Sequence, residues 1–166
     1  MIAFLDVDYR PDGSAVAACV TADGWSAPGP GGEYTTRVAR VEPYIPGQFY
    51  KRELPCLQAV LALLPISPDT LVVDGYVWLK GPADPGLGAH LFRALGERLP
   101  VVGVAKTPFQ SATAAVAVLR GSSTRPLHVT SAGVPVGEAA KSVASMHGPH
   151  RIPTLLGRVD RLCRGS

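Results

Sequence analysis

Three acidic residues stand where apolar segments of the chain meet an edge or an end. Asp6 lies inside the apolar opening stretch, Glu53 precedes an apolar run, and Asp74 closes another. A carboxylate among apolar residues costs free energy unless its charge is paired or bound to a metal. Carboxylate oxygens are the ligands that Mg²⁺ and Mn²⁺ prefer. If these three acids converge in the fold, they predict a divalent metal site.

Two basic residues occur at later element ends and could serve the same site. Lys106 ends an apolar run, and His150 lies in the polar link HGPHR. A lysine and a histidine beside a metal can neutralise a phosphate or carry a proton. Taken singly, these residues have ordinary alternatives. Asp6 could be a hydrogen-bonded core acid, and Asp74 could start a turn. His150 could be a helix N-terminal residue, and Lys106 could be a surface cation.

The segment that ends at Glu53 reads VEPYIPGQFYKRE. Its two prolines fix φ and remove two backbone donors, so the residues between them lie on a stiff loop. The glycine that follows permits a turn or a close backbone approach. The stiff loop comprises Pro43, Tyr44, Ile45, Pro46 and Gly47.

The apolar run over residues 54–64 ends at a proline and predicts a helix packed against a sheet. Counting back from its end at helical spacing through Leu57 places Glu53 on the core-facing stripe at the helix start. An acid in that position needs a partner, and a metal is one candidate. The alternative is that Glu53 and the two basic residues before it form an ordinary solvated first turn.

The opening third of the chain predicts an antiparallel meander. Residues 1–9 alternate between two faces and lead into the turn RPDG. A second strand over 14–22 completes a hairpin, and residues 34–41 alternate as a third strand.

The rest of the chain alternates between strands and helices. The short apolar runs 70–74 and 101–106 predict strands buried on both faces, and they end on Asp74 and Lys106. Open α/β sheets place their chemistry at such strand ends. Residues 114–119 and 126–130 predict a hairpin. Further helices are predicted over 87–99, 136–146 and 152–163.

Composition limits the class of protein. The 166 residues predict a single domain over 1–166, and 46% hydrophobic with 17% charged residues excludes a disordered chain. The net charge of +3 is too small by itself to indicate nucleic acid, although a local basic patch remains compatible with it. Three cysteines without metal-ligand spacing predict free thiols. With no membrane-length apolar run and no signal-like start, we expect a cytoplasmic monomer that contacts no membrane.

The predicted elements are a meander followed by helix, strand, helix and strand, and the acids lie on the first strand, the first helix and the fourth strand. This is the layout of an RNase H-like nuclease. The predicted fold is therefore α/β, a mixed sheet that begins with a three-strand antiparallel meander and is flanked by helices.

Six motifs resemble the endonuclease V family and follow that family's order along nearly the whole chain. They are DVDY at 6–9, PYIPG followed by RE within 43–53, VVDG at 72–75, GLGAHL at 86–91, VGVAK at 102–106 and HRIP at 150–153. The resemblance implies Mg²⁺-dependent cleavage of a strand, chiefly beside deoxyinosine, at the second phosphodiester bond 3′ to the deaminated purine.

The resemblance also implies roles for individual residues. Asp6, Glu53 and Asp74 match the family's metal-site carboxylates, and Lys106 and His150 match its characteristic lysine and histidine. The stretch from Pro43 to Pro46, which includes Tyr44 and Ile45, matches a wedge that separates the strands. Backbone lining the pocket of the flipped base corresponds to Gly47, Gly75 and Gly86.

Two departures from the family pattern concern substrate contact. Lys80 falls where the family carries the histidine of a His-Pro-Arg triplet, with one extra residue before Gly86. This change affects the part of the family site that serves base recognition or product retention. The chain also opens directly on its first strand, without the helical extension associated with the family, and we expect a smaller nucleic-acid contact surface.

Two functions therefore follow from the sequence. The first is a metal-dependent endonuclease acting on inosine-containing DNA or RNA. The rival is a non-catalytic or altered-specificity nucleic-acid-binding homologue, in which the altered loop over residues 76–86 has abolished turnover. Retention of all three acids favours the enzyme, because a pure binder gains little from acids that face phosphates.

Overall fold

A seven-stranded mixed sheet runs through the computed structural model, which describes residues 1–166. In chain order its strands are β1 (Ile2–Tyr9), β2 (Ala15–Ala22), β3 (Gly32–Val38), β4 (Thr70–Asp74), β5 (Val101–Ala105), β6 (Val116–Val118) and β7 (Leu127–Ala132). Their order across the sheet is β3-β2-β1-β4-β5-β7-β6. This mixed sheet, with its helices, confirms the predicted α/β class.

The centre of the sheet is parallel. β4 pairs in parallel with both β1 and β5, with Leu5 opposite Val73 and Asp74 opposite Val104. Continuing the first register by one residue sets Asp6 level with Asp74. Because the carboxyl ends of parallel strands meet at one edge, the fold gathers the two acids and the residue after β5, Lys106, at the same edge of the sheet.

The antiparallel meander is confirmed, with one boundary corrected. β2 pairs antiparallel with β1 and with β3. β3 covers Gly32–Val38, whereas the sequence predicted residues 34–41. The reason lies in the partner strand: Gly32 pairs with Thr21 and Val38 pairs with Ala15, so β3 ends where β2 has no further residue to offer.

Two helices cover each face of the sheet. α1 (Phe49–Leu61) and α2 (Leu87–Ala94) pack on one face, in an apolar cluster with Leu5 and Val73. α3 (Val136–Ala144) and α4 (Thr154–Arg164) pack on the other face, in a cluster with Phe4 and Val72. Both faces of the central strands are buried, which explains their nearly continuous apolar runs.

The start of α1 differs from the prediction. The helix begins at Phe49, so Glu53 lies in its second turn and not at its start. The ring of Phe49 packs edge-on against the rings of Tyr9 and Tyr44, which adds a turn of helix ahead of the apolar run. The predicted stripe is nevertheless correct, because Glu53 is buried on the same face as Leu57.

The other helices and the hairpin follow the prediction with shifted ends, and β7 extends to Ala132, two residues beyond its predicted end. α2 stops at Ala94 instead of residue 99, because Gly96 and Glu97 adopt positive φ values of 73° and 57°. α4 begins at Thr154 and not at Ile152, since a residue that precedes a proline disfavours helical backbone. The hairpin of β6 and β7 is confirmed.

The cysteine prediction is also confirmed, because Cys19, Cys56 and Cys163 are all free and buried. None of the four helices combines the length and the apolar character that crossing a bilayer would require.

Candidate active site

Two acids and a lysine meet at the carboxyl edge of the parallel strands. Asp6 keeps only 9% of its surface exposed, whereas Asp74 reaches solvent at the end of β4. The Lys106 Nζ lies 3.4 Å from Asp74 Oδ2. All three residues line one narrow cavity, which Leu156 and Val159 of α4 close from the side. The structure thus brings these three predicted residues together.

The third acid reaches the site from the opposite face of the sheet. Glu53 is 6% exposed on the inner side of α1. Burial, and then the negative charges of Asp6 and Asp74, raise the pKa of Glu53 to about 8, against the opposing charge of Arg52. This mutual influence means that the three carboxylates share one electrostatic environment.

The carboxyl group of Asp6 experiences the same environment. Burial, and then the charge of Asp74, raise the pKa of Asp6 to about 6. The Val7 backbone N–H donates a 2.8 Å hydrogen bond to Asp6 Oδ1, which together with the charge of Lys106 favours the ionised form. The hydrogen bond and the lysine compensate only part of the cost of burial.

The donor chemistry of these acids fits a divalent cation. None of the salt bridges in the structure includes Asp6 or Glu53, although both side chains are more than nine-tenths buried. Buried carboxylates without a cation are costly, and a hard cation would offset that cost. In the described geometry, however, no group of three or more His, Cys, Asp or Glu side chains is placed to hold a metal ion. The acids approach one another without forming a closed ligand set.

A pocket of about 210 Å³ opens on the other side of Asp74. Three of the glycines that the sequence singled out, Gly47, Gly75 and Gly86, lie in its wall. The remaining lining residues are mostly apolar or aromatic: Phe49, Tyr50, Tyr76, Leu79, Pro85 and Leu87. The pocket can therefore enclose a flat, largely apolar group within reach of the carboxylates.

Two of these glycines are required by the local backbone. A Cβ on Gly86 would lie 2.5 Å from the backbone oxygen of Tyr76, a distance that real Cβ atoms do not reach. Gly75 adopts a φ of +107°, which L side chains rarely tolerate. Glycine at both positions keeps the wall of the pocket open directly after Asp74.

The stiff loop of Pro43, Tyr44, Ile45 and Pro46 stands beside this pocket. Tyr44 is 58% exposed, and Ile45 is exposed as well. The Tyr44 ring centroid lies 6.1 Å from the ring centroid of Phe49, which lines the pocket. The loop thus presents an apolar tip to solvent next to the pocket entrance.

Lys80 lies outside the pocket. It is exposed at the tip of the loop that joins β4 to α2, where Leu79 N–H donates to the Asp84 carbonyl at 2.9 Å. Leu79 and Pro85 line the pocket, whereas the Lys80 side chain does not. The lysine is therefore positioned to contact a bound molecule outside the pocket.

The structure does not bring the His150 ring to the carboxylates. His150 is exposed, and it lines neither the pocket nor the narrow cavity at Asp6. Its backbone carbonyl accepts a 2.8 Å hydrogen bond from Arg120 Nη1. The segment is thus anchored through its main chain, which leaves the imidazole free in solvent.

Two arginines that the sequence analysis did not single out organise this region. Arg120, which is buried, also donates to the carbonyls of Met146 and Gly148. Arg151 donates to the carbonyl of Lys106, so it ties the segment of His150 to the lysine. Arg151 belongs to the HRIP motif and was therefore within reach of sequence analysis. Nothing in the sequence around Arg120 distinguishes it from a surface arginine.

Comparison with known sequences identifies relatives. The model of the family described as Endonuclease V matches residues 1–153. Endonuclease V of Streptomyces coelicolor is 32% identical over a match that covers 79% of this chain and 64% of that protein. Endonuclease V of Xanthomonas oryzae is 34% identical over a match that covers 86% of this chain and 57% of that protein. The chain spans less than two thirds of the length of these relatives.

Comparison with solved structures gives the same family. Endonuclease V from Streptomyces avermitilis superposes with a TM-score of 0.77 at 29% identity, covering 99% of this chain and 79% of that one. Endonuclease V from Ciona intestinalis was solved with a 24mer DNA containing an inosine followed by a ribo-adenosine. It superposes with a TM-score of 0.83 at 21% identity, covering 99% of this chain and 84% of that one. The second likeness shows the shared fold, which is RNase H-like. With its family model matching over residues 1–153, the chain belongs to the endonuclease V family.

Proposed function

We propose that this protein is a metal-dependent endonuclease that cuts DNA or RNA at the second phosphodiester bond 3′ to a deaminated purine such as inosine. One observation carries the proposal: two buried acids without a salt bridge, Asp6 and Glu53, converge with Asp74 beside a glycine-walled pocket. Membership of the endonuclease V family supports the reaction. The inosine-containing DNA held by the Ciona relative supports the substrate class.

Asp6, Glu53 and Asp74 would hold Mg²⁺, and Mn²⁺ suits the same oxygen donors. When bound, such an ion activates water and stabilises charge on the scissile phosphate and on the leaving oxygen. The acids approach from both faces of the sheet, so they would flank a phosphate that lies across the carboxyl edge of the strands. The raised pKa values of Asp6 and Glu53 favour cation binding at neutral to alkaline pH, where the protons of these two groups leave most readily.

Lys106 would contact the phosphate directly. Its Nζ is 3.4 Å from Asp74 and remains partly exposed, so an incoming phosphate oxygen can replace or share the carboxylate partner. A positive charge at that point stabilises the negative charge that develops in the transition state. His150 would carry a proton only after its exposed ring turns towards the carboxylates.

The pocket would receive the extracted base. Its wall combines the backbone of Gly47, Gly75 and Gly86 with aromatic and apolar side chains, which suits shape recognition of a flat ring. Tyr44, on the stiff loop beside the entrance, would occupy the gap that the base leaves in the duplex. Because two prolines restrict that loop, little further ordering entropy is lost on insertion.

The rival function is nucleic-acid binding without turnover. The observation that favours it is the altered loop over residues 76–86, which carries Lys80 exposed at its tip and outside the pocket. An ammonium group has no acceptor with which to read a base edge, so this loop favours charge-dependent contact. Inosine-containing strands that bind and remain uncut would support the rival.

A nicking assay tests the proposed function. The substrates are matched DNA and RNA strands with one inosine or none, each incubated with Mg²⁺ or with EDTA. We expect nicks only in inosine-containing strands and only with Mg²⁺. Equal cutting of undamaged strands, or cutting that EDTA leaves unchanged, would contradict the proposal. The monomeric state and the cytoplasmic location stay predictions from the sequence.

A further inference from the structure

A groove without any acid extends from Lys106 away from the pocket. It has a volume of about 320 Å³, and none of its seven lining residues is an aspartate or a glutamate. Its wall contains Lys106, Arg125, His128 and Arg151, together with two prolines and a threonine. We refer to this surface as the cationic groove. Although the net charge of the chain is only +3, the groove concentrates positive charge at one place.

The positive charge of Arg151 is fixed in the groove and is not cancelled by an acid. Arg151 donates to the carbonyls of Arg125 at 2.9 Å and Pro126 at 3.0 Å, and also to the carbonyl of Lys106. Neutral carbonyls hold the guanidinium in place without removing its charge. Neither Arg125 nor Arg151 takes part in any salt bridge of the structure. Both arginines are therefore available to an anionic ligand.

Aromatic rings border the groove on the side that faces the pocket. The Tyr76 ring lies 6.4 Å from His128 and 6.1 Å from Phe109, and Phe109 is 41% exposed. The Tyr76 hydroxyl donates to the Thr107 carbonyl at 2.8 Å and accepts from the Phe109 N–H at 3.0 Å. This arrangement fixes the segment that follows Lys106. Cations that contact phosphates beside rings that stack on bases are typical of single-strand binding surfaces.

The order of these features gives the direction of the strand. Tyr76 and Asp74 line the pocket, Asp74 and Lys106 line the narrow cavity at Asp6, and Lys106 lines the cationic groove. A strand whose base occupies the pocket and whose backbone passes the carboxylates can continue directly into this groove, because Lys106 lines both the narrow cavity and the groove. Since the proposed cut lies 3′ to the base, the groove follows on the 3′ side.

We propose that the cationic groove holds the backbone of the nucleic-acid strand on the 3′ side of the cut. This inference rests on the proposed function, which supplies the position of the cut relative to the base. The groove requires no particular sequence, because its contacts are to phosphates and to the faces of bases.

The test compares Arg125→Gln with Arg98→Gln. Arg125 is exposed in the groove, and its side chain takes part in no salt bridge. Arg98 is also exposed, but it precedes β5 and so lies at the opposite end of the sheet. Single strands with one inosine are nicked over a salt series. One substrate has a long arm 3′ to the cut. In the other substrate that arm is shortened to a single nucleotide and the 5′ arm is lengthened.

On the substrate with the long 3′ arm, we expect Arg125→Gln to reduce the slope of log(kcat/KM) against log salt concentration by about 0.7. This is the value for one lost phosphate contact on a single strand. On the truncated substrate the variant should equal the parent, and Arg98→Gln should equal the parent on both. An equal effect of Arg125→Gln on both substrates, or none on either, would overturn the assignment.

Failure of the proposed function gives a different result. If the parent nicks neither substrate, that function is wrong, and the groove is then judged by fluorescence anisotropy with a labelled strand that lacks inosine. A binding slope reduced by Arg125→Gln and unchanged by Arg98→Gln would retain the groove as a strand-binding surface. An unchanged slope in both variants would overturn the groove as well.

Discussion

The pocket and the cationic groove lie on opposite sides of Asp74 and Lys106, and their lining residues differ in chemistry. The pocket wall is backbone and apolar side chain, whereas the groove is lined by cations and contains no acid. In the proposed function, the first surface would select by shape and the second by charge. Salt should therefore weaken contacts in the groove and leave recognition in the pocket almost unchanged.

The largest expected effect comes from the carboxylates between these two surfaces. Asp6→Ala and Asp74→Ala should each reduce Mg²⁺-dependent nicking by about a hundredfold or more, because each removes a proposed metal ligand. The fold should remain intact, since losing one of several clustered acids relieves repulsion. Nicking rates and melting curves of both variants measure the two effects.

Asp23→Ala provides the matched control for this prediction, because Asp23 is exposed and lies outside the site. It should nick at the rate of the parent. If Asp6→Ala or Asp74→Ala nicks inosine substrate as fast as the parent does, the carboxylates are not the metal site.

The next effect concerns the duplex at the entrance of the pocket. Tyr44→Ala should lower nicking of paired inosine duplex by about tenfold, since unstacking a base costs a few kcal/mol and the ring occupies the resulting gap. A single-stranded inosine substrate should lose much less. The melting temperature should stay nearly constant, because the ring is largely exposed. Equal losses on both substrates with a lowered melting temperature would instead make Tyr44 a packing anchor against Phe49.

The burial of Glu53 predicts a pH effect on stability that can be measured without substrate. Its pKa of about 8 in the folded chain lies above the ordinary value near 4.5. Between these values the folded chain retains a proton that the unfolded chain has released, so the free energy of unfolding falls as pH rises. Glu53→Gln cannot ionise, so it should be more stable than the parent at pH 8 without metal, on the order of 2 kcal/mol.

Melting curves from pH 5 to pH 8 test this difference, with Glu97→Gln as an exposed control that should follow the parent. Added Mg²⁺ should raise the melting temperature of the parent more than that of Glu53→Gln. If the melting temperature of Glu53→Gln changes with pH in parallel with that of the parent, ionisation of Glu53 does not destabilise the folded chain.

The smallest effect is expected at Lys80, which is exposed outside the pocket. Lys80→Ala should make duplex binding less dependent on salt by a slope of about 0.9, the value for one lost phosphate contact. Binding of inosine-containing and undamaged duplex over a salt series measures this. A salt slope that Lys80→Ala leaves unchanged would show that Lys80 makes no phosphate contact.

The sequence predicted the features that depend on periodicity and strand ends. The alternation of residues 1–9 and the apolar runs ending at Asp74 and Lys106 were enough to predict that the acids and the lysine meet. Helix ends were less predictable, because they depend on contacts such as Phe49 on Tyr9. The groove was missed because Arg125 and Arg151 are joined only by carbonyl contacts that the fold creates.

Mapping the position of the cut tests whether a base in the pocket positions the strand over the carboxylates. Two DNA strands of equal length carry one inosine each, displaced from one another by one nucleotide, and the product ends are mapped at single-nucleotide resolution with Mg²⁺. We expect a cut at the second phosphodiester bond 3′ to the inosine in both strands, so the cut moves by one nucleotide with the base. A cut that stays at the same distance from the strand end would contradict it.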